Sequence, residues 1–180
     1  MQGIFLDGLE RYAIREIGLS GVERIHADIG RSRSGYSFDT SYPDDEVGLI
    51  VQGVSEATGT TPDDILQRFA KDLVPSLIDI YGFVIDPKWT FVDFLLKTEL
   101  VIHKAVKLNS PTARPPAILA RRLGPDTVAI TYRSERRLCS VAKGIIHGCA
   151  AHYRAVVAIA EDRCMLRGDP ECVLTVSAQA

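Results

Sequence analysis

The chain of 180 residues carries almost no net charge, because 21 basic residues face 23 acidic ones and the formal charge is −2. Nucleic-acid-binding domains usually present a basic surface, so this balance predicts no nucleic-acid partner. The sequence also lacks an apolar run long enough to span a bilayer, and its first residues lack the basic start of a signal peptide. These absences predict a cytoplasmic protein without a membrane partner.

Neither an internal repeat nor a low-complexity linker divides the sequence. Hydrophobic residues make up 46% of the chain and charged residues 24%, which is ordinary for a folded protein. A chain of this length can build one substantial core, so we expect a single domain over residues 1–180. The four cysteines are expected to be reduced thiols, metal ligands or redox switches rather than a permanent disulfide framework.

Helix signals dominate the first half of the chain. Apolar residues recur at helical spacing, and Gly18 and Gly59 follow such stretches as natural helix ends. Pro43 and Pro62 precede acidic residues, a pattern typical of helix starts. Pro75 is expected to limit where a further helix begins. The predicted helices cover residues 4–17, 21–29, 43–58, 61–71 and 73–81, with a surface loop at residues 31–42.

The second half combines one strong helix with strand signals. Residues 90–108 have the clearest helical periodicity, which predicts that His103 and Leu100 share an apolar face. Several prolines then exclude a continuing helix. Strands are predicted at residues 118–123, 127–132, 155–160 and 172–177, with a helix at residues 138–153. The predicted fold class is α+β, with a helical part first and then an antiparallel sheet of about four strands with helices.

His103 and a cluster of donors at Tyr132, Ser134 and Arg136 are the candidate functional residues. A lone histidine on an apolar helix face is more often a core residue than a metal ligand. The phenol, hydroxyl and guanidinium of the cluster could bind two carboxylates side by side. The alternative is a packed tyrosine, a capping serine and a solvated arginine. Taken together, a separate histidine and a carboxylate clamp have the chemistry of a haem site.

The order of His103, Pro115-Pro116 and Tyr132-x-Ser134-x-Arg136 resembles the H-NOX family. These are the haem nitric oxide/oxygen-binding domains related to the sensor domain of soluble guanylate cyclase. The likeness covers nearly the whole chain and includes Met1, Gly3, Tyr42-Pro43-Asp44, Phe69 and Phe94-Leu95. It implies a helical subdomain of about residues 1–60 and an α+β subdomain of about residues 61–180, with haem b held between them.

The resemblance also implies roles for individual residues. His103 would be the axial ligand of the haem iron, and its other ring nitrogen would need a hydrogen-bond acceptor. Tyr132, Ser134 and Arg136 would bind the haem propionates, while Pro116 would press on the porphyrin and distort it. Further residues expected to pack against the haem are Phe5, Leu9, Leu100, Val141 and Gly144.

Gas selectivity is expected to depend on Val141. This residue stands where oxygen-binding members of the family have a tyrosine that hydrogen-bonds to bound oxygen, and valine has no donor. The site is therefore expected to bind nitric oxide strongly and carbon monoxide less tightly, and largely to exclude oxygen. Nitric oxide would weaken the iron–His103 bond, let the haem relax and move the histidine helix, which is a ligand-biased switch. Gly144 and Gly148 would either let their helix approach the porphyrin or serve helix–helix packing.

Cys139, Cys164 and Cys172 resemble positions that supply a structural zinc in some bacterial H-NOX proteins. A histidine completes that set three residues before the middle cysteine, where this chain has Glu161. Since a carboxylate can bind zinc, three thiolates with Glu161 are one possible ligand set, and His152 is a more remote substitute. Metal-free thiols and a redox-labile disulfide are the alternatives.

No cyclase, kinase or methyl-acceptor segment is present in the sequence. A sensor of this kind would act through a separate protein, and the resemblance implies a histidine kinase or a cyclic-di-GMP enzyme. Two other classes stay open. An enzyme could pair a cysteine nucleophile with His147 or His152 as base, although no local motif supports it. An interaction module could keep the fold without haem, or sense redox state through zinc or thiols.

Overall fold

Helices occupy the first half of the chain and a four-stranded antiparallel sheet lies in the second. The computed structural model describes residues 1–30, 35–38 and 40–179. This order confirms the predicted α+β fold class. Within the described ranges, no helix combines the length and the apolar composition needed to cross a membrane. The helices are α1 Gly3–Asp28, α2 Asp45–Thr58, α3 Pro62–Tyr81, α4 Phe91–Lys97, α5 Lys104–Asn109 and α6 Cys139–His152, and the strands are β1 Ala117–Arg122, β2 Thr127–Arg133, β3 Val156–Arg163 and β4 Cys172–Gln179.

The first helix is kinked at Gly18. Helical backbone lies on both sides of this residue, whereas Gly18 has a φ of 71°, which glycine adopts without a steric penalty. The helix end predicted at Gly18 is therefore confirmed, because α1 consists of two helices that meet at this kink. Buried residues from both arms, such as Leu9 and Ile25, belong to the same core as α2 and the first half of α3.

The surface loop predicted at residues 31–42 lies partly outside the described residues, which omit positions 31–34 and 39. Part of the described segment is buried. Tyr36 is buried, and its ring lies edge-on to that of Tyr42 with the ring centroids 5.0 Å apart. The Tyr42 backbone N–H donates to the Met1 carbonyl at 2.8 Å. This segment therefore joins the start of α1 to the helical core.

Capping residues place α2 and α3 where the sequence predicts them. α2 ends at Gly59, which has a φ of 71°, and the side chain of Thr61 accepts the Asp64 backbone N–H at 3.2 Å before α3. The prediction of a separate helix at residues 73–81 is wrong, because α3 runs through Pro75 without a break. Proline cannot donate to the Lys71 carbonyl, but α6 packs against this stretch, and the burial offsets the local cost.

The helix that carries His103 contains a π-helical segment. α4 begins with a capping box in which Thr90 and Asp93 satisfy each other's backbone N–H groups. Residues 98–103 then form the π-helix, and α5 follows. Because hydrogen bonds in a π-helix span one more residue than in an α-helix, the spacing that predicts Leu100 beside His103 no longer applies. Leu100 is 76% exposed, so the prediction of a shared face is wrong.

The sheet has the strand order β1-β2-β4-β3, and every neighbouring pair is antiparallel. The last strand of the chain therefore lies inside the sheet. Alternate residues of the two central strands, including Val128 and Leu174, are buried against α4 and α6. This inner face and the helical half enclose the space in which the candidate site lies.

Candidate functional site

A cavity of about 330 Å³ lies between the helical half and the inner face of the sheet. Most of its lining is aliphatic or aromatic. The principal lining residues are Ile4, Phe5, Leu73, Val74, Leu77, Ile78, Tyr81, Thr98, Ile102, His103, Val106, Arg114, Pro115, Pro116, Ile118, Ile130, Tyr132, Ser134, Arg136, Leu138, Val141, Ile145, Ile146, Cys149 and Leu174.

His103 stands in the cavity wall at the end of the π-helical segment, with only 13% of its side chain exposed. Its Nδ1 lies 2.8 Å from Oε2 of Glu99, which leaves Nε2 as the ring nitrogen for a metal. Burial lowers the pKa of His103, and this outweighs the opposing effect of Glu99. The imidazole is therefore neutral near pH 7, as a metal ligand must be.

Glu99 contacts two other groups besides the histidine. Its Oε2 also accepts the Ile118 backbone N–H at 3.2 Å, and Nζ of Lys107 lies 3.3 Å from its Oε1. Burial by itself would raise the pKa of Glu99, but its hydrogen bonds, above all to His103, lower the pKa overall. A carboxylate thus orients the imidazole and ties the histidine helix to β1.

Tyr132, Ser134 and Arg136 all line the cavity where β2 leads towards α6. Burial raises the pKa of Tyr132 to about 12, so its phenol stays protonated and can donate. The Ser134 hydroxyl oxygen accepts the Arg136 backbone N–H at 3.2 Å. The guanidinium of Arg136 donates through Nη1 to the Arg114 carbonyl at 2.7 Å. The three predicted donors are therefore brought together on one cavity.

The other residues predicted to contact haem divide into two groups. Phe5 and Val141 line the cavity, as does Pro116. Leu9 does not, because the first turn of α1 supplies the lining and Leu9 is fully buried in the helical core. The exposed Leu100 is also absent from the lining.

Gly144 and Gly148 serve the packing of α6 against α3. A Cβ atom on Gly144 would lie 2.7 Å from the Ala70 Cβ, and one on Gly148 would lie 2.8 Å from the Lys71 carbonyl oxygen. Neither glycine lines the cavity. Of the two roles expected for this pair, the structure therefore supports helix–helix packing, and the prediction that Gly144 faces the ligand is wrong.

The donor set fits a flat apolar group that carries both a metal and carboxylates. His103 offers one imidazole nitrogen, the apolar wall suits a large ring, and Tyr132, Ser134 and Arg136 offer donors for carboxylates. Haem combines these features. A sequence model of the haem-NO-binding family matches residues 2–161. The chain belongs to the H-NOX family. Members of this family bind haem and are sensor domains for gases.

Solved structures of H-NOX proteins share the fold along the whole chain. An H-NOX protein from S. oneidensis in the Fe(II)NO state is 27% identical, with a TM-score of 0.93 and 100% of each chain covered. The SO2144 H-NOX domain from Shewanella oneidensis in the Fe(II)CO state is also 27% identical, with a TM-score of 0.88 and 99% of each chain covered. An I5F mutant of T. Tengcongensis H-NOX shares the fold at 19% identity and a TM-score of 0.88, with coverage of 100% of this chain and 98% of that one. No curated protein matched the chain significantly.

Two features of the H-NOX site were missed by sequence reasoning. One is Glu99, although its position four residues before His103 is a usable signal. The link between Arg136 and Asp44 was not foreseen. Nε of Arg136 lies 2.8 Å from Oδ1 of Asp44 at the start of α2, and the N-terminal amine of Met1 lies 2.6 Å from the same oxygen. No sequence signal connects residues so far apart.

Three buried thiols converge outside the cavity. The Sγ atoms of Cys139, Cys164 and Cys172 all lie within 4.8 Å of one another, and those of Cys139 and Cys172 are 3.0 Å apart. Burial raises the pKa of Cys139 and of Cys172, so both are thiols rather than thiolates near pH 7. Cys149 is a separate buried thiol whose pKa burial raises to about 12. All four cysteines are free.

Glu161 does not join the three thiols. One of its carboxylate oxygens lies 3.3 Å from Nζ of Lys143, and the other lies 3.1 Å from Nη1 of Arg167. His152 is exposed at the end of α6 and is not in the thiol cluster either. The predicted zinc ligand set of three thiolates and Glu161 is therefore not assembled, because Glu161 does not belong to the group of ligand atoms within 4.8 Å of one another. The residues present do not fit a four-coordinate zinc site.

Proposed function

We propose that this chain binds haem b and senses nitric oxide, with carbon monoxide as a weaker ligand and little binding of oxygen. The observation that carries the proposal is the apolar cavity shared by His103 and by the donors of Tyr132, Ser134 and Arg136. The membership in a family of haem-based gas sensors supports it. Haem would supply a ferrous iron that takes up diatomic gases, and the hold of His103 on that iron would weaken when nitric oxide binds.

His103 would hold the iron through Nε2, because Glu99 occupies Nδ1 and keeps the ring in one orientation. Arg136 would bind one carboxylate with part of its planar fork, and the protonated phenol of Tyr132 and the hydroxyl of Ser134 would donate to the carboxylates as well. Pro116 would press on the ring as a rigid contact. These roles use side chains that already line one cavity.

The preference for nitric oxide rests on the part of the cavity wall that Val141 and Phe5 form. Val141 and Phe5 line the cavity and offer only carbon. Bound oxygen carries partial negative charge and depends on a hydrogen bond, whereas nitric oxide binds ferrous iron strongly without one. Tyr81 also lines the cavity, at the end of α3, and its hydroxyl is the donor to be tested against this proposal.

The signal would leave the site through the histidine helix and through Arg136. His103 ends a π-helical segment, a conformation often found at functional sites. Arg136 binds Asp44 at the start of α2, so a change at the donor cluster reaches the helical part directly. We propose that residues of about 1–60 shift relative to those of about 61–180 within one domain. A separate protein, a histidine kinase or a cyclic-di-GMP enzyme, would read that shift.

The direct test is the absorption spectrum of the purified ferrous protein under argon, air, carbon monoxide and nitric oxide. We expect a Soret band that is unchanged in air on mixing and that shifts with nitric oxide at lower concentration than with carbon monoxide. Prompt formation of a stable oxygen complex would contradict the selectivity. A colourless protein after expression with ample haem would instead favour a haem-free interaction module.

A further inference from the structure

The thiols of Cys139, Cys164 and Cys172 lie close enough together to converge on one metal ion. With a metal–sulfur bond of about 2.3 Å, three sulfurs around one ion lie about 4 Å apart. Here all three Sγ atoms lie within 4.8 Å of one another, and those of Cys139 and Cys172 are 3.0 Å apart in an S–H···S hydrogen bond. Binding of one ion would therefore move these two sulfurs apart by about 1 Å. One cysteine begins α6, one follows β3 and one begins β4. The fold, and not a local motif, brings them together.

Among the described residues next to the thiols, no nitrogen or oxygen atom is placed to serve as a fourth metal ligand. Glu161 forms ion pairs with Lys143 and Arg167, although its Oε1 is buried without a hydrogen bond to a described residue, and Oδ2 of Asp169 accepts the Cys164 backbone N–H at 2.8 Å. The remaining buried neighbours are Met165 and Tyr132. Structural zinc is almost always four-coordinate, so this cluster departs from what zinc requires. A three-sulfur site with a thioether neighbour matches a softer ion.

We propose that Cys139, Cys164 and Cys172 form a three-coordinate site for Cu(I). Cu(I) is the soft cation that thiolates select, and trigonal coordination by three sulfurs satisfies it. Each thiol that binds the ion gives its proton to the buffer, so uptake of one Cu(I) releases about two to three protons and transfers no electrons. None of the three cysteines lines the cavity, although Tyr132 of the donor cluster packs against them.

The test is an anaerobic titration of the reduced protein as purified with Cu(I) against bathocuproine disulfonate, with a parallel titration with Zn(II). We expect one Cu(I) per chain, near-ultraviolet thiolate-to-copper absorption and proton release into a weakly buffered solution. Cys164→Ser should weaken Cu(I) binding by about tenfold or more, as loss of a direct ligand requires. Cys149→Ser removes the thiol outside the cluster and should leave Cu(I) binding unchanged.

Glu161→His supplies the ligand that the cluster lacks, and it tests the argument without removing a cysteine. We expect this variant to bind Zn(II) about tenfold or more tightly than the native chain, with little change for Cu(I). The proposal fails if the native protein carries one zinc per chain as purified, or if it binds Zn(II) as tightly as Glu161→His. It also fails if Cys164→Ser, shown by circular dichroism to be folded, still binds Cu(I) like the native chain.

Discussion

Replacement of Glu99 by glutamine should loosen the hold of the protein on haem. Nδ1 of His103 lies 2.8 Å from the Glu99 carboxylate, and this contact both orients the ring and increases its strength as a ligand. Glutamine keeps the shape and an acceptor oxygen for the Ile118 backbone N–H, so the variant should fold. It removes only the negative charge that faces the imidazole.

The size of the effect follows from the exposure of Glu99. Loss of a partner that orients a metal-bound histidine weakens metal binding by about 10- to 100-fold. The Glu99 side chain is 32% exposed, so solvent screens part of its charge and the lower part of that range applies. We expect haem to dissociate about 10 to 30 times faster, which corresponds to about 1.4 to 2 kcal/mol.

The assay is transfer of ferric haem to excess apomyoglobin, followed at the Soret band. Lys107→Gln is the matched control, because Lys107 contacts the same carboxylate but is 52% exposed and does not touch the imidazole. Its haem loss should stay within about twofold of the native rate, as expected for an exposed ion pair. An unchanged rate in Glu99→Gln would refute the role assigned to the carboxylate. Equal acceleration in both variants would show a general effect of charge.

Three further predictions concern gas choice, helix packing and acid stability. Val141→Tyr should allow the ferrous protein to form an oxygen complex in air. Val141→Phe and Tyr81→Phe should bind as little oxygen as the native chain. If the native chain binds oxygen and Tyr81→Phe does not, the role assigned to Val141 is contradicted. Gly148→Ala should lower the free energy of unfolding in urea by about 1 to 3 kcal/mol, because its Cβ would lie 2.8 Å from the Lys71 carbonyl oxygen. An unchanged free energy of unfolding would disprove the close packing of α6 against α3. Burial would raise the pKa of Asp44, but hydrogen bonds to the N-terminal amine and to the donor-cluster guanidinium lower it below 3.8 in the folded protein. Its stabilisation is therefore fully present above about pH 4 and is lost as the pH falls through the lowered pKa of the folded protein. Asp44→Asn should be less stable than the native chain in urea at pH 7, and this difference should shrink steadily as the pH is lowered below about 4; a difference that does not change with pH would contradict this.

Local chemistry made the starts and ends of several helices predictable. Gly59 and Pro62 act through backbone conformation and contacts close in sequence, and the structure has both in the predicted roles. Pro75 misled the prediction because the penalty for an internal proline is local, whereas the compensation is the packing of a distant helix against α3. Sequence patterns near a residue cannot report packing of that kind.

The candidate site shows the same limit. Helical periodicity assumes a constant number of residues per turn, so the π-helical segment displaced Leu100 while His103 still lines the cavity. From the sequence, the glycines of α6 could pack against either the porphyrin or another helix, and only the position of α3 in the structure decides between the two. Glu161 looked like a ligand because of its position near Cys164, but Lys143 and Arg167 orient it elsewhere.

The central claim is that His103 holds the haem iron, and resonance Raman spectroscopy of the ferrous, gas-free protein tests it most directly. We expect an iron–histidine stretching band in the native chain, no such band in His103→Gly, and its return as an iron–imidazole band when imidazole is added to that variant. Haem retained in His103→Gly with an unchanged iron–histidine band would contradict the account, because another residue would then be the ligand.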